Sequence, residues 1–139
     1  MSLFSVMNIA GSALTAQTMR LNVTASNLAN ADSAASSLEK TYRARHPVFQ
    51  AQALDAWNDQ GASNAGVRVA GVIESNAQLR KEYQPGHPLA DKDGYVYMPN
   101  VNVVEEMANM ISASRSYQTN VDIIDASKQM LTRTLALGQ

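Results

Sequence analysis

Residues that could carry out metal or redox chemistry are few in this sequence. The two histidines, His46 and His87, lie far apart, so they do not form the pair one helical turn apart that binds zinc on a helix. Residues 91–94, Asp-Lys-Asp-Gly, are similar to the start of a calcium-binding loop, but the glycine comes too early and the later oxygen ligands are missing. The chain has no cysteine, which excludes disulfides, thiolate metal sites and cysteine nucleophiles. These patterns predict no metal and no cofactor.

The acidic residues also lack a catalytic arrangement. Glu105 and Glu106 are adjacent, and adjacent residues of a helix point in different directions, so they are not expected to act as an acid–base pair. Their place near a predicted helix start is explained by the positive end of the helix dipole. Asn22-Val23-Thr24 has the form of a glycosylation sequon but lies inside a predicted helix. With no glycine-rich phosphate loop and no nucleophile elbow, we expect no catalytic site and no enzyme activity.

The composition indicates one domain that neither binds nucleic acid nor spans a membrane. The 139 residues include 11 basic and 12 acidic ones, and no basic tract occurs. No apolar run approaches the length that crosses a bilayer. The first residues have no basic cluster followed by an apolar block, so we expect no cleaved secretory signal.

Apolar heptads occur at both ends of the chain and not in its middle. The first predicted helix covers about residues 2–29 and is stopped by the segment 27–33, which is rich in Asn, Asp and Ser. One heptad line of this helix consists of Met7, Leu14, Leu21 and Leu28. A second line, on another face, consists of Ile9, Ala16 and Val23. A helix with apolar residues on two faces is expected to need more than one neighbour.

The second predicted helix runs from about residue 103 to Leu137. Asn102 and Glu105 have the spacing of a capping box, and Gly138 follows the helix end. The apolar seam consists of Val103, Met107, Met110, Tyr117, Val121, Ile124, Leu131 and Leu135, interrupted by Ser114 and Lys128. Such seams are buried against other helices. Because the chain returns after a compact excursion, we expect the two helices to pair as an antiparallel coiled coil.

The residues between the helices alternate in polarity with the period of β-strands. We expect strands at residues 42–46, 67–74, 79–84 and 95–98, the first ended by Pro47 and confined by it to a sheet edge. Residues 59–66 have a loop composition, and residues 75–78 are expected to turn the chain back into the third strand. Pro85 and Gly86 suit the centre of a type II turn. So few short strands would be marginally stable alone.

The predicted fold class is therefore α+β, with long terminal helices around a small inserted β module. Residues 1–31 form the N-terminal helix of the coiled-coil core. Residues 32–100 form the β-rich module with its loops. Residues 101–139 form the C-terminal helix of the core.

Several motifs resemble those of the flagellar rod and hook axial proteins, and together they cover nearly the whole chain. Near the start these are Ile9–Leu14 and Arg20–Asn30, the second of which matches the signature shared by this family. In the middle, Tyr83–Asp91, Gly94–Val96 and Met98–Val101 resemble the FlgC family of basal-body rod proteins in particular. Glu105–Met107 and Ser112–Val121 extend the match, whereas residues 50–66 carry no family pattern.

The resemblance implies a structural subunit of the proximal rod, the drive shaft in the periplasmic part of the flagellar basal body. It implies export through the flagellar type III system and assembly by helix packing that transmits torque. The implied partners are the rod proteins FlgB, FlgF and FlgG, the adaptor FliE, further copies in a helical array and the membrane ring. We expect the assembly contacts on the helices, at Met7, Leu14, Leu21, Asn27, Leu28, Asn30, Val103, Met107, Met110, Tyr117, Val121, Ile124, Leu131 and Leu135.

Two other functions stay open on the residues alone. A secreted coiled-coil adaptor or effector acting outside a rod would use the same helices, and binding of a ligand by the β module without the helices would favour it. An enzyme with its site in the β module would depend on His46, His87, Asp91 and Asp93. Intact motility after replacement of these four residues would dismiss that hypothesis.

Overall fold

The computed structural model describes residues 3–53 and 65–137. Within these ranges the fold is α+β, as the sequence predicts: two long helices pack together and a β insertion connects them. The elements in chain order are α1 (Leu3–Ala29), β1 (Arg45–Ala53), β2 (Ala65–Glu74), β3 (Arg80–Tyr83), β4 (Tyr95–Met98) and α2 (Val103–Leu137). The N-cap of α2 is Asn102, whose Oδ1 accepts hydrogen bonds from the backbone N–H groups of Val104 and Glu105.

The two helices lie antiparallel, with the end of α1 beside the start of α2. Arg20 Nη2 donates to Asn109 Oδ1 at 2.9 Å, and just outside the helices Ala31 packs on Val101. The 35 residues of α2 and the 27 of α1 correspond to about 50 Å and about 40 Å of helix. Because Arg20 lies opposite Asn109, the last turns of α2 extend past Leu3. Helix pairing is thus confirmed, and a regular coiled coil stays a prediction.

The β1–β2 hairpin gives α1 its second neighbour. It packs on α1 beside α2, where Val67 N donates to Ser12 Oγ at 3.1 Å and where Val69 and Met19 line the same small cavity. The prediction that α1 needs more than one neighbour is met within the chain itself. In the two described ranges, α2 packs closely on α1 and on no strand.

β1 differs from the predicted strand at residues 42–46, because it begins at Arg45 and runs through Pro47 to Ala53. The backbone N and O of Arg45 both bond to the side chain of Asn27, so at this position the strand turns its backbone groups away from β2. Pro47, two residues further, has the same orientation, and its missing N–H removes no ladder bond. The predicted end at Pro47 was therefore wrong. Its edge position is confirmed, since among the described strands β1 pairs with β2 alone.

The predicted return from the second strand into the third was also wrong. β3 pairs with β4 and not with β2, so the described part of the insertion contains two separate two-stranded sheets. The segment after β2 lies beside the residues that lead into α2, because the side chain of Asn100 donates to the carbonyl oxygen of Ala77 at 2.9 Å. Of the loop predicted at residues 59–66, Ala65 and Gly66 belong to β2, and the rest lies outside the described residues.

The turn centred on Pro85 and Gly86 forms, but its type differs from the prediction. His87 N donates to Gln84 O at 3.0 Å, which closes the four-residue turn. A type II turn would need a positive φ at Gly86, whereas among the described glycines the positive φ occurs at Gly94, at 79°. Gly94 lies in the predicted turn before β4, where Asp91 Oδ1 accepts from the backbone N–H groups of Asp93 and Tyr95.

We expect Gly94→Ala to lower the free energy of unfolding by about 1–3 kcal/mol. Its backbone lies in the left-handed region, and an added Cβ would lie 2.9 Å from Cε2 of Tyr83. Gly86→Ala is the matched control, because a Cβ there meets no atom within 4 Å. Urea unfolding measures both variants, and a Gly94→Ala protein as stable as the control would contradict the prediction.

Candidate assembly surfaces

The face of α2 towards α1 is built from small or polar side chains. Its least exposed residues recur at heptad spacing and are Glu106, Ala113 and Ser127, with the half-buried Asn120 between the last two. α1 likewise buries Ala10, Ala16 and Thr24. Small residues allow two helices to approach closely. The centre of the contact between α1 and α2 therefore contains none of the large apolar side chains of α2.

The predicted seam of α2 divides into two groups around this contact. Met110, Val121, Ile124 and Leu131 are half-buried. Val103, Met107, Tyr117 and Leu135 are exposed. From the sequence, the most apolar heptad of α2 was expected to pack against another helix. In the structure, the line of small or polar side chains packs against α1, because it allows the two helices to approach closely.

Most of the predicted assembly residues in α1 and just after it are half-buried rather than exposed. These are Met7, Leu14, Leu21, Leu28 and Asn30. The second line is buried more deeply at Ala16 and Val23. The role of these α1 residues in contacts between subunits stays a prediction.

An exposed apolar surface covers the first three turns of α2. We call it the head patch, and it consists of Val103, Val104, Met107 and Ile111. Met107 is 51% exposed and Ile111 is 55% exposed. Val104, Met107 and Ile111 follow each other at spacings of three and four residues, so they share one helix face. This face points away from the small-residue contact with α1.

A second exposed apolar surface lies at the other end of α2, beyond the reach of α1. We call residues 128–137 the tail segment. Met130 and Leu135 are exposed, and Leu137 is 89% exposed. The tail segment contains Lys128 and Arg133 and no acidic residue, whereas residues 103–111 contain the exposed Glu105, the buried Glu106 and no basic residue. The two ends of α2 are thus both apolar and carry opposite charge.

Asn27, which the sequence analysis placed among the assembly contacts, lies inside the chain with 1% of its surface exposed. Its Nδ2 donates to Arg45 O at 2.8 Å, and its Oδ1 accepts from Arg45 N and from Tyr42 Oη, both at 2.9 Å. Asn30 donates from Nδ2 to Ser26 O and so caps the end of α1. Asn27 therefore makes three hydrogen bonds within its own chain.

Sequence reasoning missed Asn100, which has a comparable set of partners. Its Oδ1 accepts from Ala44 N at 2.8 Å, and its Nδ2 donates to Ala77 O and, at 3.4 Å, to Ser75 O. The available signal was the dipeptide Pro99–Asn100 between the β module and α2, which by itself indicates only a boundary.

Two of the residues considered for chemistry, His87 and Asp91, have structural partners. His87 Nδ1 accepts from Leu89 N within its turn. The backbone N–H of Tyr95, which donates to Asp91, lowers the pKa of the Asp91 carboxyl below its ordinary value of 3.8, and the Asp93 N–H and the charge of Lys81 act in the same direction. In residues 3–53 and 65–137, acidic residues and histidines nowhere cluster as a set of three metal ligands. Neither described helix combines the length and hydropathy that a membrane span requires.

Comparisons with known proteins give a family match at each end of the chain. Residues 7–34 match the family described as flagella basal body rod protein, and residues 92–137 match that described as flagellar basal body rod FlgEFG protein C-terminal. The flagellar basal-body rod protein FlgC of Escherichia coli O6:H1 is 55% identical and that of Salmonella typhimurium is 53% identical, each over the full length of both chains. The FlgC of Borreliella burgdorferi is 38% identical over all of this chain and 99% of the relative. At this identity over the whole length, the chain belongs to the FlgC family of flagellar basal-body rod proteins.

Proposed function

We propose that the chain is a structural subunit of the flagellar basal-body rod, placed in the proximal rod and built into it by helix packing with neighbouring subunits. Membership of the FlgC family supports the rod assignment, since each of the relatives compared is named as a basal-body rod protein. The families that match the two ends are rod families and not catalytic ones. The proposed site of action is the basal body.

The proposed assembly mechanism is based on one observation: the other described elements bury α1 on two sides and α2 on one side. α1 lies between α2 and the β1–β2 hairpin, whereas α2 has α1 as its neighbour among the described elements. The head patch and the tail segment therefore expose large apolar side chains at both ends of a helix of about 50 Å. Exposed apolar surface of this kind is typical of protein contact sites.

The charges at the two ends of α2 favour a head-to-tail arrangement of subunits. The acidic start of α2 suits a basic helix end of a neighbour, and the basic tail segment suits an acidic helix start. Head-to-tail contacts that do not close on themselves produce helical arrays. The proposed neighbours are further copies and the related proteins FlgB, FlgF and FlgG, with FliE and the membrane ring at the base. Torque would then be carried by many helix contacts in parallel.

The same surfaces fit export before assembly. A subunit whose helix ends lack neighbours gains order when it joins the rod, and the ordering entropy opposes premature polymerisation. We propose that the chain passes unfolded through the flagellar type III system and completes its helices on assembly.

Complementation tests this function directly. In cells that lack their own FlgC, the chain should restore swimming, and isolated basal bodies should contain its peptides by mass spectrometry. His46→Gln with Asp93→Asn is the control variant and should swim normally, because a structural subunit needs no side-chain chemistry at those positions. Accumulation of the chain in the medium with no peptides in basal bodies would refute the proposal.

A further inference from the structure

The β1–β2 hairpin is joined to the helices by side-chain amides where backbone pairing is impossible. The backbone groups of a helix are used within the helix, so α1 cannot pair with a strand through its main chain. Asn27 replaces such a pairing. Its amide donates to Arg45 O and accepts from Arg45 N, the two bonds that a residue exchanges with its partner in an antiparallel ladder.

Asn100 makes the corresponding connection near the start of α2. Its Oδ1 accepts from Ala44 N and its Nδ2 donates to the carbonyl oxygens of Ser75 and Ala77. Ser75 N in turn donates to Ala44 O at 2.7 Å, which closes the base of the hairpin. Arg45, the first residue of β1, is thus bonded to the end of α1. Ala44 before β1 and Ser75 and Ala77 after β2 are bonded to Asn100, in the segment that leads into α2.

The chemistry of these bonds requires asparagine. Each amide acts as donor and acceptor at once, whereas an aspartate would place a second acceptor against a carbonyl oxygen. Hydrogen bonds depend strongly on angle, while apolar contacts allow sliding. The hairpin also contacts α1 through the hydrogen bond from Val67 N to Ser12 Oγ and through half-buried side chains such as Val67 and Val69. One bond to a rotatable hydroxyl fixes a point of contact and not an angle, so these contacts do not by themselves set the direction of the hairpin.

We infer that Asn27 and Asn100 are positioning residues that fix the angle between the helix pair and the β1–β2 hairpin, and that rod assembly depends on this angle. We call the two side chains and their backbone partners the asparagine joint. The second half of the inference, that rod assembly depends on this angle, rests on the proposed function. The first half concerns the isolated chain and is tested without a rod.

Asn27→Leu removes the three hydrogen bonds of this amide and keeps the number and branching of the side-chain heavy atoms. Asn22→Leu is the matched control, because Asn22 is exposed on the same helix. We expect hydrogen exchange at the Arg45 amide to accelerate at least tenfold in Asn27→Leu, with unchanged exchange at Ala113 in the helix pair. Asn100→Leu should accelerate the Ala44 amide instead. An equal loss of protection at every amide would overturn the inference, since the joint would then contribute only to global stability.

The angle itself can be measured by spin labelling, because the chain has no native cysteine. Labels at Gln52→Cys on β1 and Gln118→Cys on α2 should give one narrow distance distribution, which broadens in Asn27→Leu and not in Asn22→Leu. An unchanged width would overturn the inference. Loss of helical circular dichroism in both Asn27→Leu and Asn100→Leu would also overturn it, because the joint would then hold the helix pair itself.

Complementation tests the dependence of assembly on the joint. We expect Asn27→Leu to be strongly depleted from isolated basal bodies and Asn22→Leu to be incorporated normally. Normal incorporation of a variant with a broadened distance distribution would overturn the second half of the inference. That outcome would leave the proposed function intact, since the unmodified chain would still restore rods.

Discussion

Replacing Met107 and Ile111 together by aspartate is expected to abolish incorporation of the chain into rods and leave the isolated protein folded. Both side chains are more than half exposed, so their replacement removes little of the packing within the monomer. In an assembly contact, each carboxylate would be buried without a partner, which costs more than about 3 kcal/mol. Such a cost corresponds to a loss of more than about 100-fold in affinity for a neighbouring subunit.

The matched control for this variant is Gln118→Asp, an exposed position on the same face of α2 two turns further along. Circular dichroism should show the same helix content in both proteins, while swimming and basal-body peptides should be lost in the double variant alone. Normal swimming of the double variant would show that the head patch does not contact a neighbour. Aspartate at Leu21 or Ile124 should also stop assembly, but both are half-buried in the chain, so loss of the fold would contribute.

Ala113→Leu is expected to lower the free energy of unfolding by about 1–3 kcal/mol. Ala113 has 0% exposure in the contact between the helices, so three additional carbon atoms have no space unless the helices separate. The expected result is a lower midpoint of urea unfolding and, because the helix pair is displaced, weaker incorporation into rods.

Ala108→Leu is the control for this second variant, because Ala108 is exposed on the same helix. It should unfold at the midpoint of the unmodified chain. If Ala113→Leu were equally stable, the contact between α1 and α2 would not have the small-residue packing that the structure shows.

Local signals predicted the helices and three of the strands well. The N-cap at Asn102 and the continuation of α2 through Leu137 are confirmed, while the predicted helix end at Gly138 lies outside the described residues. The strands at residues 67–74, 79–84 and 95–98 follow from alternation within a few residues, and they match β2, β3 and β4 to within two residues. Strand pairing was predicted less well, because it depends on partners distant in the chain. Asn100, near the start of α2, directs the segment after β2 away from a return strand.

The sequence by itself determined the helix limits, the α+β class and the presence of apolar surface at both ends of the chain, because caps and periodicity act between residues close along the chain. The tertiary structure decided which of those apolar residues stay exposed. Apolarity measures the tendency of a side chain to leave water and does not identify its neighbour. Close packing of α1 and α2 selected Ala113 and Ser127 over Met107 and Tyr117, because small side chains let two helices approach closely. In the same way, Asn27 turned inward because the base of β1 offered an N–H and a carbonyl oxygen at the spacing of its amide.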